Sequence, residues 1–323
     1  MIKRKAEKKI HDWIKNGGYA LFISGARQVG KTSTVRKCLE EYACDSDQTD
    51  VIITEYFEID LADDTDLVDV INQSKSAGDL ILNISLAGHF TLHGSNAILF
   101  IDNAQECPEI AEKILTRNRD NICRFIVCGT SFRDEFREYG IRTVDRIRMY
   151  PLDFEEYLQA NGVEESVIGQ LRYKFNNAEP VAEASHRKLM EYFRQYILAG
   201  GMPAAAEKYL QTGDISEAMK VQKDIIELYR NDFMKTDCSD KKLRMSAMFS
   251  VIPRELLRSN KRFRYADIDK RLKAGRAEVT LTRHEEYGDI ISVYHTSAPR
   301  SPLKRNIRKN LVKLYLSDVG LLN

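Results

Sequence analysis

At 323 residues, with 43% hydrophobic and 30% charged side chains, the chain has the make-up of an ordinary water-soluble protein of two or three compact units. No stretch approaches the roughly 20 apolar residues of a membrane span, and the basic start MIKRKAEKKIHDW lacks the apolar segment of a secretory signal. The net charge is only +1 but is unevenly spread: from Lys241 onward 19 Lys and Arg face 8 Asp and Glu, a surplus of +11 that leaves −10 on the first 240 residues.

Taken in order, residues 3–15 read as a helix with Ile10, Trp13 and Ile14 on one apolar face, ended by Gly17 and Gly18. Tyr19 to Ile23 then make a short apolar strand, and from Lys31 the spacing turns helical through Val35, Leu39 and Tyr42. Between them lies Gly25-Ala26-Arg27-Gln28-Val29-Gly30-Lys31-Thr32, followed by Ser33, which meets the phosphate-loop pattern at every specified position. A triphosphate needs backbone N–H groups aimed inward, and the two glycines allow that close approach. The helix N-terminus adds partial positive charge behind the phosphates. Lys31 is expected to reach the outer phosphates, and the Thr32 hydroxyl to ligate a magnesium ion bridging them. The bland reading is a glycine-bounded turn with an exposed lysine.

Val51 to Ile59 is β-branched and aromatic, a second strand, and the following Asp60, Asp63, Asp64 and Asp66 read as a solvated turn opening a helix rather than a calcium loop. Helices are expected over Leu67–Ile71 and Leu80–Ala87. Ala97 to Asp102 is an apolar strand ending in a carboxylate about 70 residues past the phosphate loop, where a phosphate-loop ATPase keeps the aspartate that faces magnesium. Many such ATPases follow it with a glutamate that activates the attacking water. Here the residue is Asn103, whose amide can hold water but cannot take its proton. Glu106 could replace it only if the local turn brought it round. Arg124 to Ser131 is the next strand; Thr130 or Ser131 either senses the terminal phosphate or caps a helix starting near Arg133. Val144 to Tyr150 is a further strand, with Arg142 before it.

Strands alternating with helices predict an α/β fold, a parallel sheet with nucleotide at the C-terminal edge of its strands. From Asp153 the pattern is mainly helical, interrupted by Gly200-Gly201-Met202-Pro203, a tight turn with Pro203 opening the next helix. Beyond Lys241, helices over Leu243–Leu257, Tyr265–Leu272 and Glu278–Tyr287 precede strands over Ile290–Tyr294 and Val312–Leu316, the plan of a winged helix. The division expected is a nucleotide-binding core over 1–151, a helical lid over 152–240 and a basic winged-helix-like unit over 241–323. The surplus charge there fits contact with DNA or another polyanion, or a protein partner, or simply a solvated surface. His89 and His93 lack a third ligand for a metal, and His284-Glu285 does not complete a zinc protease motif. Six scattered cysteines without a CxxC pair fit reduced thiols of a cytoplasmic protein.

The stretches GARQVGKT (25–32), AILFIDNAQECP (97–108), YPLDFEEYL (150–158), LAGGMP (198–203), LYRNDF (228–233) and KLYLSDVGLL (313–322) resemble those of prokaryotic AAA-type ATPases that carry a distinctive C-terminal domain of unknown function. The resemblance implies ATP with Mg2+ as the bound nucleotide, a small lid and a winged-helix-like unit. It also implies a place for Pro203 near the adenine, with Arg4 on the same side. Two departures stand out. The family usually has Asp-Glu where this chain has Asp102-Asn103, which sets hydrolysis in question while leaving magnesium binding intact. Its glycine-arginine pair before the YPL segment is offset here as Arg142, a loose match to a phosphate-contacting finger. Members also commonly continue past the GLL segment into a nuclease-like domain, which is expected to be absent from a sequence ending at Asn323.

Overall fold

The computed structural model describes residues 1–44, 55–63, 65–74, 77–88, 97–117, 123–132, 144–235, 239–268 and 274–322. The chain divides into two compact units, one of Arg4–Met149 and one of Met1–Lys3 with Tyr150–Asn323.

In the first unit, helix α1 (Lys5–Asn16) buries Ile10, Trp13 and Ile14 as its spacing predicts. Its C-terminal carbonyls are capped from a distant strand: the Arg124 guanidinium donates to the carbonyls of Ile14 (2.7 Å) and Trp13 (2.6 Å) and lies 4.2 Å from the centre of the Trp13 ring. Strands β1 (Ala20–Ser24), β2 (Tyr56–Asp60), β3 (Ile98–Asp102), β4 (Arg124–Gly129) and β5 (Asp145–Arg148) form one sheet in the order β2-β3-β4-β1-β5. All its pairings are parallel. A parallel sheet covered on both faces needs apolar side chains in both directions, which explains the uninterrupted run Ile98-Leu99-Phe100-Ile101, all fully buried. Helices α2 (Lys31–Cys44), α3 (Thr65–Gln73), α4 (Ala77–Gly88) and α5 (Glu109–Arg117) complete the described part of the unit. One cluster joins Leu67, Ile71, Leu80 and Ile84 to Ile110, Ile114 and the sheet residues Leu99, Ile101 and Val127. The fold is therefore the α/β one the sequence predicts. Because the strands run in parallel, Ser24, Asp60, Asp102 and Gly129 all end at one edge of the sheet.

The second unit is helical before its hairpin. It contains α6 (Phe154–Ala160), α7 (Glu165–Asn176), α8 (Glu183–Ala199), α9 (Pro203–Thr212), α10 (Ile215–Met234), α11 (Ser239–Leu256) and α12 (Ala274–Tyr287). Asp153 and Glu156 box the start of α6 reciprocally: the Asp153 carboxylate accepts from Glu156 N–H (2.9 Å) and the Glu156 carboxylate from Asp153 N–H (3.1 Å). Pro203 stands at the start of α9, where its missing N–H costs nothing. Over the segment expected to be helical from Tyr265, the described residues make a single 3-10 turn, Tyr265–Asp267. The two last strands, β6 (Ile290–Thr296) and β7 (Ile307–Leu316), pair antiparallel, so part of the basic segment PRSPLKRNIRKN belongs to β7 rather than to a loop.

Three of the recurring motifs meet inside this unit. The buried Asp318 accepts from Gly201 N–H (2.5 Å) through one oxygen and from Gly320 N–H (3.0 Å) through the other. Gly201 in turn accepts from Leu152 N–H (2.6 Å), and the Gln222 amide donates to the carbonyls of Leu198 (3.0 Å) and Ala199 (2.9 Å). Gly200 has φ +74°, and a Cβ there would lie 2.4 Å from an Asp318 oxygen and 2.9 Å from the Gly320 Cα. The glycine pair of LAGGMP is thus required by the close approach of the SDVG segment. His284 is fully buried between the Asp289 carboxylate (2.8 Å) and the Met245 carbonyl (3.1 Å), a structural histidine rather than a metal ligand. Among the described residues no group of His, Cys, Asp and Glu could hold a metal ion by itself, and no helix is long and apolar enough to cross a membrane.

Candidate functional site: the phosphate loop and the sheet edge

The loop between β1 and α2 has the backbone that its glycines make accessible. Gly25 (φ +155°) and Gly30 (φ +88°) occupy regions where a side chain is strained, and Gln28 joins them at φ +66°. A Cβ on Gly25 would lie 2.3 Å from the Met149 carbonyl oxygen, so the loop turns directly against the end of β5. Gly25→Ala is expected to cost about 1–3 kcal/mol from backbone strain alone; comparing the melting temperatures of variant and parent checks it.

The loop is pinned from three sides. Gly25 N–H donates to the Thr130 carbonyl (3.3 Å), which brings the end of β4 beside the loop. The buried Arg4 donates to the Val29 carbonyl (2.5 Å). Glu7 ties the same helix start to α2, accepting from Arg4 N–H (2.8 Å) and from the Lys37 ammonium (2.8 Å). Third, Arg27 makes an ion pair with Glu106 (3.1 Å) in the 3-10 turn Ala104–Glu106 after β3. The Ser33 hydroxyl is exposed and donates to the Gly30 carbonyl (3.2 Å).

Lys31 folds over the loop, its ammonium donating to the carbonyls of Gly25 and Ala26, both at 2.9 Å. Burial lowers its pKa from the ordinary lysine value, opposed by the nearby Asp102. The Thr32 hydroxyl donates to the Asp102 carboxylate across 70 residues of sequence. Burial raises the Asp102 pKa, and the Thr32 hydroxyl, the Asn103 N–H (2.8 Å) and Lys31 draw it back. A hydroxyl and a carboxylate side by side at the mouth of a glycine cradle are the hard oxygen donors a magnesium ion takes, so these residues fit magnesium with a nucleotide polyphosphate. When bound, that ion neutralises charge on the outer phosphates.

Asn103 sits immediately after Asp102 in left-handed backbone, φ +54°. Its amide Nδ2 donates to Asp60 Oδ1 (2.7 Å), and its Oδ1 accepts from the Gln105 amide (3.0 Å). Asp60 is the register partner of Asp102 across β2 and β3, and it was not singled out by the sequence, in which it stands within an acidic run. The structure thus gathers Gly25 to Ser33, Asp102, Asn103 and Thr130 around one end of the sheet. Pro203 belongs to the second unit. Arg142, His89, His93 and the helix expected from Arg133 lie outside the described residues.

Among known proteins, residues 18–158 match the model of the AAA domain, and residues 190–323 match that of a domain of unknown function, DUF8612. No curated protein matches the sequence. Among solved structures, the Walker-type ATPase PABY2304 of Pyrococcus abyssi superposes with a TM-score of 0.55 at 14% identity, over 100% of this chain and 95% of that one. Cdc6p of Pyrobaculum aerophilum (TM-score 0.35, 15% identity, 94% and 92% covered) and the Drosophila ORC bound to DNA (0.40, 12%, 98% and 84%) are also similar, at scores too low to add to the argument. The glycine loop, Lys31, Thr32 and Asp102 thus lie within the residues that match the AAA domain, on a fold similar to that of a Walker-type ATPase, and they are followed in the chain by residues that match a domain of unknown function.

Proposed function

We propose that the protein is an ATP-dependent switch that binds Mg-ATP firmly and hydrolyses it slowly. The observation that carries this reading is the meeting of Thr32 with Asp102 beneath a cradle of loop amides, with Lys31 folded over the same loop. In this reading Lys31 leaves the Gly25 and Ala26 carbonyls for the outer phosphates, Thr32 and Asp102 hold magnesium, and Thr130 faces the terminal phosphate. Asn103 favours slow turnover, since an amide takes no proton from water. It also supports a second reading, in which nucleotide only stabilises the fold. Magnesium-dependent ATP binding and phosphate release, measured on one sample with Lys31→Ala as the blank, test both. Binding with slow, Lys31-dependent release is expected; binding with no release supports the second reading, and no binding sinks both.

We further assign residues 152–240 as the lid and 241–323 as the unit that meets a partner, with DNA favoured by the surplus of +11. Affinity of the full chain for duplex DNA should then fall steeply with salt, with log K declining by about 0.9 per phosphate neutralised for each tenfold rise in salt. Affinity that does not respond to salt, or none at low salt, would turn the assignment to a protein partner.

A further inference from the structure

The site lacks a glutamate after Asp102, yet it does not lack a second carboxylate. Asp60 ends β2 one strand away, paired in register with Asp102. Its two hydrogen bonds, from the Asn103 amide (2.7 Å) and from Ala62 N–H (2.9 Å), both fall on Oδ1; among the described residues none reaches Oδ2. The side chain is half-buried. Asn103 is oriented on both sides, donating to Asp60 and accepting from Gln105. Two further carboxylates nearby, Glu106 and Glu58, are held by Arg27 and Arg36.

We propose that Asp60 is the general base for ATP hydrolysis in this protein, with Asn103 as the residue that positions it. The inference rests on the ATPase reading above. Water would bond to the γ-phosphorus through its oxygen while the bond from that phosphorus to the β,γ-bridging oxygen breaks, its electron pair leaving with ADP. The water proton goes to Asp60 Oδ2 and then to solvent, and phosphate is the second product. An amide at 103 is what this arrangement requires. A glutamate there would set a second negative charge against Asp60 and occupy left-handed backbone, which asparagine tolerates better.

The pairing makes a reciprocal prediction. Asp60→Asn should reduce phosphate release by about 10²-fold or more, the scale of a lost general base, while ATP affinity by calorimetry changes less than about threefold. Asn103→Glu alone should not raise turnover, but Asn103→Glu combined with Asp60→Asn, which exchanges amide and carboxylate, should recover at least about tenfold of the loss. Turnover unchanged in Asp60→Asn, affinity falling in step with turnover, or activation by Asn103→Glu alone would each overturn the role of Asp60. Parent protein that binds ATP without Lys31-dependent release overturns it too, leaving the binding reading intact; parent protein that binds no ATP overturns the underlying reading itself.

Discussion

Lys31→Ala is expected to weaken ATP binding by about 10- to 100-fold and to bring phosphate release to background. A hydrogen bond to a charged group contributes about 1.5–3 kcal/mol, and each 1.4 kcal/mol is a factor of ten in affinity. In the structure the ammonium satisfies two loop carbonyls, so a bound polyphosphate replaces existing contacts rather than relieving an unpaired charge. That exchange keeps the expected loss at the lower end of what a buried lysine would suggest. The loop itself should survive the substitution, because Gly25 is held by the Thr130 carbonyl and Val29 by Arg4, neither through Lys31. Calorimetric titration with Mg-ATP, alongside a melting curve showing an unchanged fold, checks the result. Equal affinity in variant and parent would remove the phosphate loop from the site.

The second large effect is expected within the second unit. Asp318→Ala removes the acceptor of the Gly201 and Gly320 N–H groups inside the second unit, where each buried donor left unpaired costs about 1–3 kcal/mol. The deficit should depend on pH in a defined direction. Burial pushes the Asp318 carboxyl up from its ordinary 3.8 to about 6, against the pull of the backbone N–H groups of Gly201, Gly320 and Leu321. A carboxyl that holds its proton more tightly folded than unfolded stabilises the folded state fully below pH 3.8. It loses that contribution as pH rises to about 6 and beyond, a swing on the order of 3 kcal/mol. The disadvantage of Asp318→Ala should therefore be larger at pH 4.5 than at pH 7, by about 2 kcal/mol. Urea unfolding of variant and parent across that range measures it. A deficit that grows with pH would mean that the carboxylate, not the acid, is the form the fold prefers.

Much of the site is legible in the sequence because it is local. The phosphate loop is eight consecutive residues whose glycines, lysine and threonine each answer a demand made within one turn of chain, and Gly25, Gly30 and Gln28 adopt the unusual backbone such a loop needs. Asp102 is legible as well, as the polar end of an apolar run that only a buried parallel strand explains. Pro203 at the head of its helix and the hairpin of β6 and β7 follow from equally local signals. The segment from Tyr265 was less readable: its apolar spacing resembles a helix, but the described residues settle into a 3-10 turn.

Asp60 shows where local reading ends. In sequence it is the first of several aspartates in a turn, indistinguishable from its solvated neighbours. Its bond to Asn103, 43 residues away in sequence, exists because β2 and β3 lie side by side. Asp318 and the Gly200-Gly201 pair are the same case: both motifs are visible, but nothing in either says that one must be glycine to admit the carboxylate of the other. The sequence by itself determined the chemistry of the nucleotide loop, the strand-end aspartate and the alternation that makes an α/β sheet, since these depend on backbone freedom and burial within a single element. Only the tertiary structure decided which carboxylate faces Asn103, which arginine steadies the loop and which aspartate closes the second unit, because each is a contact between elements whose adjacency is set by strand order and packing.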